Sequence, residues 1–168
     1  MNNFLTIVDR LNLWAGTICK WFVALLTLVL TLEVVMRYVF NSPTIWAYDV
    51  SYMLGGSFFV LGMGYTLLKN DHVRVDIFYQ KYSPRGRAMV DAVLTLVLFL
   101  PCFSLLLYHL VPYVYDSWAV SEKSLESFWR PPIYPFKTVL LISVALLLLQ
   151  GIAVFLRALQ VIFSKERA

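Results

Sequence analysis

The chain of 168 residues is 60% hydrophobic and only 14% charged, with a mean hydropathy of +0.72, too apolar for a soluble domain. Four membrane spans of roughly 20 residues each would use about 80 positions. The remainder is a set of short loops, which excludes a separate catalytic, nucleotide-binding or nucleic-acid-binding domain and points to an all-α integral membrane protein with four transmembrane helices.

Near the N-terminus, Phe4, Ile7, Val8 and Leu11 recur at helical spacing beside Asn3, Asp9 and Arg10. The pattern fits a short amphipathic N-terminal helix lying on the membrane or a simple extension of the first span, and leaves both open. The first span is expected over 13–38. Trp21 to Leu32 is free of charge, Lys20 can snorkel, and Glu33 stands four residues before Arg37. With no small-residue cleavage site ahead of Glu33, the segment reads as a span and not as a cleaved leader. A turn through Pro43 leads to a second span over 46–68, charge-free from Val50 to Leu68. A basic loop over 69–87 follows. The third span is expected over 89–112 with a bend at Pro101, and the fourth over 136–160. Between them, loop 113–135 holds Pro131, Pro132 and Pro135 and the mixed-charge run Ser121 to Glu126, which predicts an ordered loop.

Basic residues give the expected orientation. With four spans, the two ends share a side with loop 69–87, and that group carries Arg10, Lys69, Arg74, Lys81, Arg85, Arg87, Lys165 and Arg167. The other side has Arg37, Lys123, Arg130 and Lys137. Eight against four places both termini and loop 69–87 in the cytoplasm and loop 113–135 in the periplasm. Tyr38, Trp46, Tyr48, Tyr113, Trp118, Trp129 and Tyr134 gather at the predicted outer face, where amphipathic rings favour the headgroup level.

Few side chains suggest chemistry. On the second helix, Ser51, Gly55, Gly62 and Thr66 fall on one stripe at about 100° per residue, a surface against which another helix could pack closely, from this chain or from a second protein. Arg37 is placed to bridge Glu33 and Asp49 and so to lock the first helix to the second. Gln150, beside Gly151 near the middle of the fourth span, is expected to make an interhelical hydrogen bond. An ion site of its own would need convergent polar groups at the midplane and a broken helix, and neither pattern is present. The two histidines test an enzyme alternative, a haem-bearing anchor of a respiratory complex, or else an assembly factor. His72 and His109 fall at opposite faces of the bilayer, so they cannot sandwich one haem. Cys19 and Cys102 have no neighbours at metal or redox spacing. The expectation is a non-enzyme without a cofactor.

Taken in order, Arg37-Tyr38-Val39-Phe40, Trp46 with Asp49, the glycines of the second helix, His72-Val73-Arg74-Val75-Asp76, Ser83-Pro84 and the late run Trp129 to Pro135 resemble a known family. The chain is similar, over nearly its whole length, to the small membrane subunit (DctQ type) of TRAP transporters, the tripartite ATP-independent periplasmic carriers. That family usually shows two acidic residues after the Trp, whereas here Trp46 is followed by Ala47, Tyr48 and Asp49. The resemblance implies an accessory subunit in a bacterial inner membrane. It would brace a large membrane subunit (DctM type) that imports an organic acid with sodium, and help dock a periplasmic solute-binding protein (DctP type). Sodium is expected on the large subunit. Glu33, Arg37, Trp46, Asp49, Ser51, Gly55, Gly62, Thr66, His72, Asp76 and Gln150 are the structural or interface candidates.

Overall fold

The computed structural model describes residues 2–69 and 82–163. Among these residues the chain is helical apart from its connections, and four helical segments are long and apolar enough to cross a membrane.

Helix α1, Asn2–Tyr38, runs for 37 residues without a break. At about 1.5 Å per residue it is roughly 55 Å long, well beyond the ~30 Å hydrocarbon core. The N-terminal segment is therefore a continuation of α1 and not a separate interfacial helix. Its apolar pattern has a tertiary cause, because Leu5 and Val8 are buried against Ala153 of the last helix. The helix ends where Asn41 takes a left-handed conformation (φ 51°), which Asn tolerates better than most residues. The Ser42 amide then returns to the Met36 carbonyl at 2.9 Å, and Pro43 prevents continuation.

Helix α2, Ala47–Lys69, follows. The third span opens with α3, Pro84–Leu94, capped by the Ser83 hydroxyl, which accepts from the Gly86 amide. It widens into a π-turn, Thr95–Phe99, and continues as α4, Leu100–Ala119. The π-turn is how Pro101 is accommodated. Proline has no N–H and its ring would collide with the Val97 carbonyl in a regular helix, so the preceding turn expands and Leu100 bonds back to Thr95. Helix α4 passes Pro112 and stops only at Ser121 (φ 48°), where the Glu122 amide donates to the Ser117 carbonyl at 3.0 Å. The following loop is thus 120–133, shorter than the sequence pattern suggests. It is drawn together by the Ser124 amide on the Pro131 carbonyl at 2.8 Å and by an isolated bridge between Lys123 and Pro132.

Helix α5, Tyr134–Phe163, is the centre of the bundle. It packs on α2 and on both parts of the third span, while α1 lies chiefly on α2 and reaches α5 along its N-terminal part. The most apolar window of α5 is 33% buried, against 6% for the third span, which leaves the third span with a broad open apolar face. Lys137 and Arg157, twenty residues apart on α5, are separated by about 30 Å and so mark two headgroup levels. The two sides are called the loop end and the terminal end below.

Glycines set how closely the helices approach. A methyl group added at Gly16 would strike the Tyr65 ring, at Gly56 the Phe136 ring at 2.8 Å, at Gly64 the Asn12 side-chain oxygen, and at Gly151 the Phe99 ring. The pairs join α1 to α2, α2 to α5 and the π-turn to α5, each by a side chain lying over a bare backbone.

Candidate functional site: two polar clamps at opposite ends of the bundle

At the loop end, three carboxylates tie the connections to the helices. Glu33 accepts from Arg37 through Nη2 at 2.6 Å and Nε at 3.1 Å. Its other oxygen accepts from the Thr44 amide at 3.1 Å and from the Thr44 hydroxyl. The α1–α2 turn is thereby fastened to α1. Asp49, only 2% exposed, accepts from the Ser127 hydroxyl and so holds loop 120–133 over the start of α2. Glu122 accepts from the Lys137 ammonium, which also lies 3.9 Å from the centre of the Tyr113 ring. The hydrogen bond from Lys137 is the main reason that the Glu122 carboxyl is held below the usual carboxylate range. Beside it, the Trp118 indole donates to the Thr138 hydroxyl at 2.8 Å and stacks obliquely on Tyr134.

The clamps leave the loop's apolar tip outside. Leu125 is 87% exposed and Phe128 fully so.

At the terminal end, a second clamp joins α1 to α5. Asn12 and Gln150 are both 0% exposed, and the Asn12 amide donates to the Gln150 oxygen at 2.9 Å and to the Val8 carbonyl at 3.0 Å. The Gln150 amide reaches Asp9 at 3.4 Å, and Asp9 accepts from Arg157 at 2.6 Å. The spacing follows from antiparallel helices. Asp9 and Asn12 are one turn apart on α1, Gln150 and Arg157 two turns apart on α5, and they meet in opposite order. Gln150 lies about 10 Å from Arg157 and about 20 Å from Lys137 along α5, on the terminal side of the midplane and close to it.

Among the described residues, the Asn12 side-chain oxygen is buried without a hydrogen-bond partner. It lies where a Cβ of Gly64 would sit, so the Gly64 Cα–H faces it as a weak donor of the kind common where helices touch.

Several expectations change. Arg37 does not bridge two acids. Among the described residues it pairs with Glu33, while Asp49 is taken by Ser127, a residue 78 positions away that no local pattern could supply. Trp46 caps α2 through its carbonyl, which accepts from the Val50 amide at 3.1 Å. The stripe on α2 does not make the chain's own tight contacts. An added Cβ at Gly62 would meet nothing within 4 Å and at Gly55 only the end of Leu26 at 3.9 Å, whereas Gly56 and Gly64, off the stripe, are closely packed. Gly62 and Thr66 instead line an open groove of about 550 Å³ with Cys19, Phe58 and Phe103. The Ser51 hydroxyl is buried without a partner among the described residues. His72 and Asp76 lie outside the described residues.

The Glu33 arrangement yields a measurable order. Arg37, 55% exposed at its side chain, is expected to lower the melting temperature by no more than about 2 °C when replaced by Ala. Glu33→Ala also frees the Thr44 turn and should lower it several times further. Equal shifts in thermal melts would mean that the turn is not held by Glu33.

Residues 26–161 match the family described as "Tripartite ATP-independent periplasmic transporters, DctQ component". No curated protein matches the chain.

Proposed function

Since the chain belongs to the DctQ family of tripartite ATP-independent periplasmic transporters, the small membrane subunits of those systems, we propose that it is a scaffold for transport and not itself the carrier. The observation that carries this reading is where the charges lie. No Asp, Glu, Lys, Arg or His falls between Lys20 and Glu33, between Asp49 and Lys69, between Asp91 and His109, or between Lys137 and Arg157. The bonded carboxylates lie instead toward the two ends, where they join helices and connections, while of the deeper groups Lys20 is exposed on α1 and the buried Asn12–Gln150 pair joins α1 to α5. A carrier that moves an ion and an anionic solute needs convergent polar groups at mid-depth. A brace needs a rigid bundle and an open apolar face, which the third span supplies.

In this reading a large membrane subunit packs in the bilayer against that open face and imports an organic acid with sodium. The stripe of Gly55 and Gly62, open within this chain, allows a partner helix to come close. In the same reading the terminal end faces the cytoplasm of a bacterial inner membrane and loop 120–133 the periplasm, an orientation that the eight-to-four basic asymmetry supports. There Leu125 and Phe128, held out on a doubly clamped loop, offer an apolar contact for the solute-binding protein.

The experiment is reconstitution in proteoliposomes with a sodium gradient, loaded binding protein and candidate organic acids. It compares this chain alone, the large subunit alone and both together. Uptake is expected only with both. Uptake by this chain alone would overturn the scaffold role, and full uptake by the large subunit alone would show that the scaffold is dispensable.

A further inference from the structure

At the terminal end, the outward side of α1 borders a second groove of about 550 Å³, closed at its back by α2 and α5. Ile7, Leu11, Trp14 and Ile18 follow one another at alternating spacings of four and three, so they form a continuous stripe along α1. Leu61 of α2 and Leu146 of α5 make the far wall, and Ala15, 4% exposed, is small enough to leave the floor deep. The groove opens sideways, where a bilayer would lie, since Ile7, Leu11 and Trp14 remain exposed.

One charge stands at its mouth. Arg10 lines the groove, is exposed, and has no ionic or hydrogen-bonding partner among the described residues. Its neighbour Asp9 is occupied by Arg157. Arg10 therefore sits at the headgroup level that Arg157 marks, its positive charge unpaired among the described residues.

The dimensions match one leaflet. Along α1 the lining runs from Arg10 to Ile18, about 12 Å, within the ~15 Å that is half of the hydrocarbon core. Trp14 lies one turn deeper than Arg10, at the depth of the ester linkages, where an indole N–H finds carbonyl acceptors. Charge at the phosphate level, an indole donor just below it and an apolar channel one leaflet deep describe a phospholipid carrying net negative charge.

We infer that this groove is a binding site for one anionic phospholipid of the leaflet at the terminal end, its phosphate on Arg10 and an acyl chain along Ile7, Leu11 and Ile18. The inference does not depend on the transport role.

Native mass spectrometry and thermal melts of the full chain, purified in detergent and supplied with phosphatidylglycerol, phosphatidylcholine or inorganic phosphate, test it. Phosphatidylglycerol is expected to be retained one per chain, about fivefold more than phosphatidylcholine, the worth of one basic side chain at an anionic surface. It should also raise the melting temperature, and inorganic phosphate should not. Arg10→Gln should erase the preference without changing the melt in detergent alone, Arg10→Lys should keep most of it, and Leu11→Gln should reduce retention of both lipids. Equal retention of the two lipids by the native chain, a preference that survives Arg10→Gln, or stabilisation by inorganic phosphate alone would each overturn the site. So would a dimer, cross-linked through Ile7→Cys, that excludes lipid, because a second copy would then fill the groove.

Discussion

Gly64→Leu and Gly151→Leu are each expected to cost on the order of 3 kcal/mol or to prevent recovery of folded protein, while Gly62→Leu leaves the isolated chain within about 0.5 kcal/mol of its native stability. At Gly64 a side chain would enter the space of the buried Asn12 oxygen, forcing α1 and α2 apart and straining the hydrogen bond to Gln150. At Gly151 it would displace the Phe99 ring, which stands in the π-turn opposite and packs on Phe103. Neither obstacle is the free end of a flexible chain. Gly62 faces open space, so an isobutyl group there is accepted. If Gly62 meets a helix of the large subunit, the same substitution should still weaken co-purification of the two. Thermal melts and size-exclusion profiles decide the first part. Equal melting temperatures for all three variants would show that these glycines do not set the helix spacing.

The spans were legible because twenty apolar residues without charge have almost no alternative to a buried helix. Their ends were less so. Lengths of α1 and α4 beyond the bilayer are decided by tertiary partners, Ala153 against Leu5 and Val8 in one case, and by where a left-handed residue such as Ser121 stops the helix in the other. Glu33–Arg37 was visible because its spacing is local, i to i+4. The same logic misassigned Asp49, whose partner Ser127 arrives from a distant loop. The glycine stripe does not mark this chain's own contacts, for a related reason. A small residue permits close approach but does not say from which side, and here bulky Asn12 and Tyr65 of neighbouring helices selected Gly64 and Gly16. Asn12 and Arg157 say little singly, yet Asp9 with Asn12 on the first helix and Gln150 with Arg157 on the last, each at helical spacing, are a readable signal of an antiparallel clamp.

Removing Glu122 is expected to damage the loop end far more than removing the lysine it pairs with. Lys137 is only 6% exposed, so Glu122→Ala leaves a nearly buried ammonium with the Tyr113 ring in place of a carboxylate. Lys137→Met keeps most of the stem's packing, and the Glu122 side chain it abandons is 36% exposed and can turn to water. Glu122→Ala should therefore lower the melting temperature by about 5 °C or more, Lys137→Met by about 2 °C, and the double variant by little more than Lys137→Met alone. Additive shifts would show that the two groups do not act as a pair. Acid gives an independent check. Because the Glu122 carboxyl is held below its unfolded value of about 4.3, chiefly by Lys137, the unfolded chain takes up protons first as pH falls. The clamp's contribution is complete above that value and is lost as pH drops through the lower folded one. The native chain should accordingly begin to lose thermal stability below about pH 4, more steeply than the double variant, and with it the fixed placement of Leu125 and Phe128. Capture of the binding protein should fall in the same order, Glu122→Ala before Lys137→Met, if the clamped loop is the surface on which that protein docks.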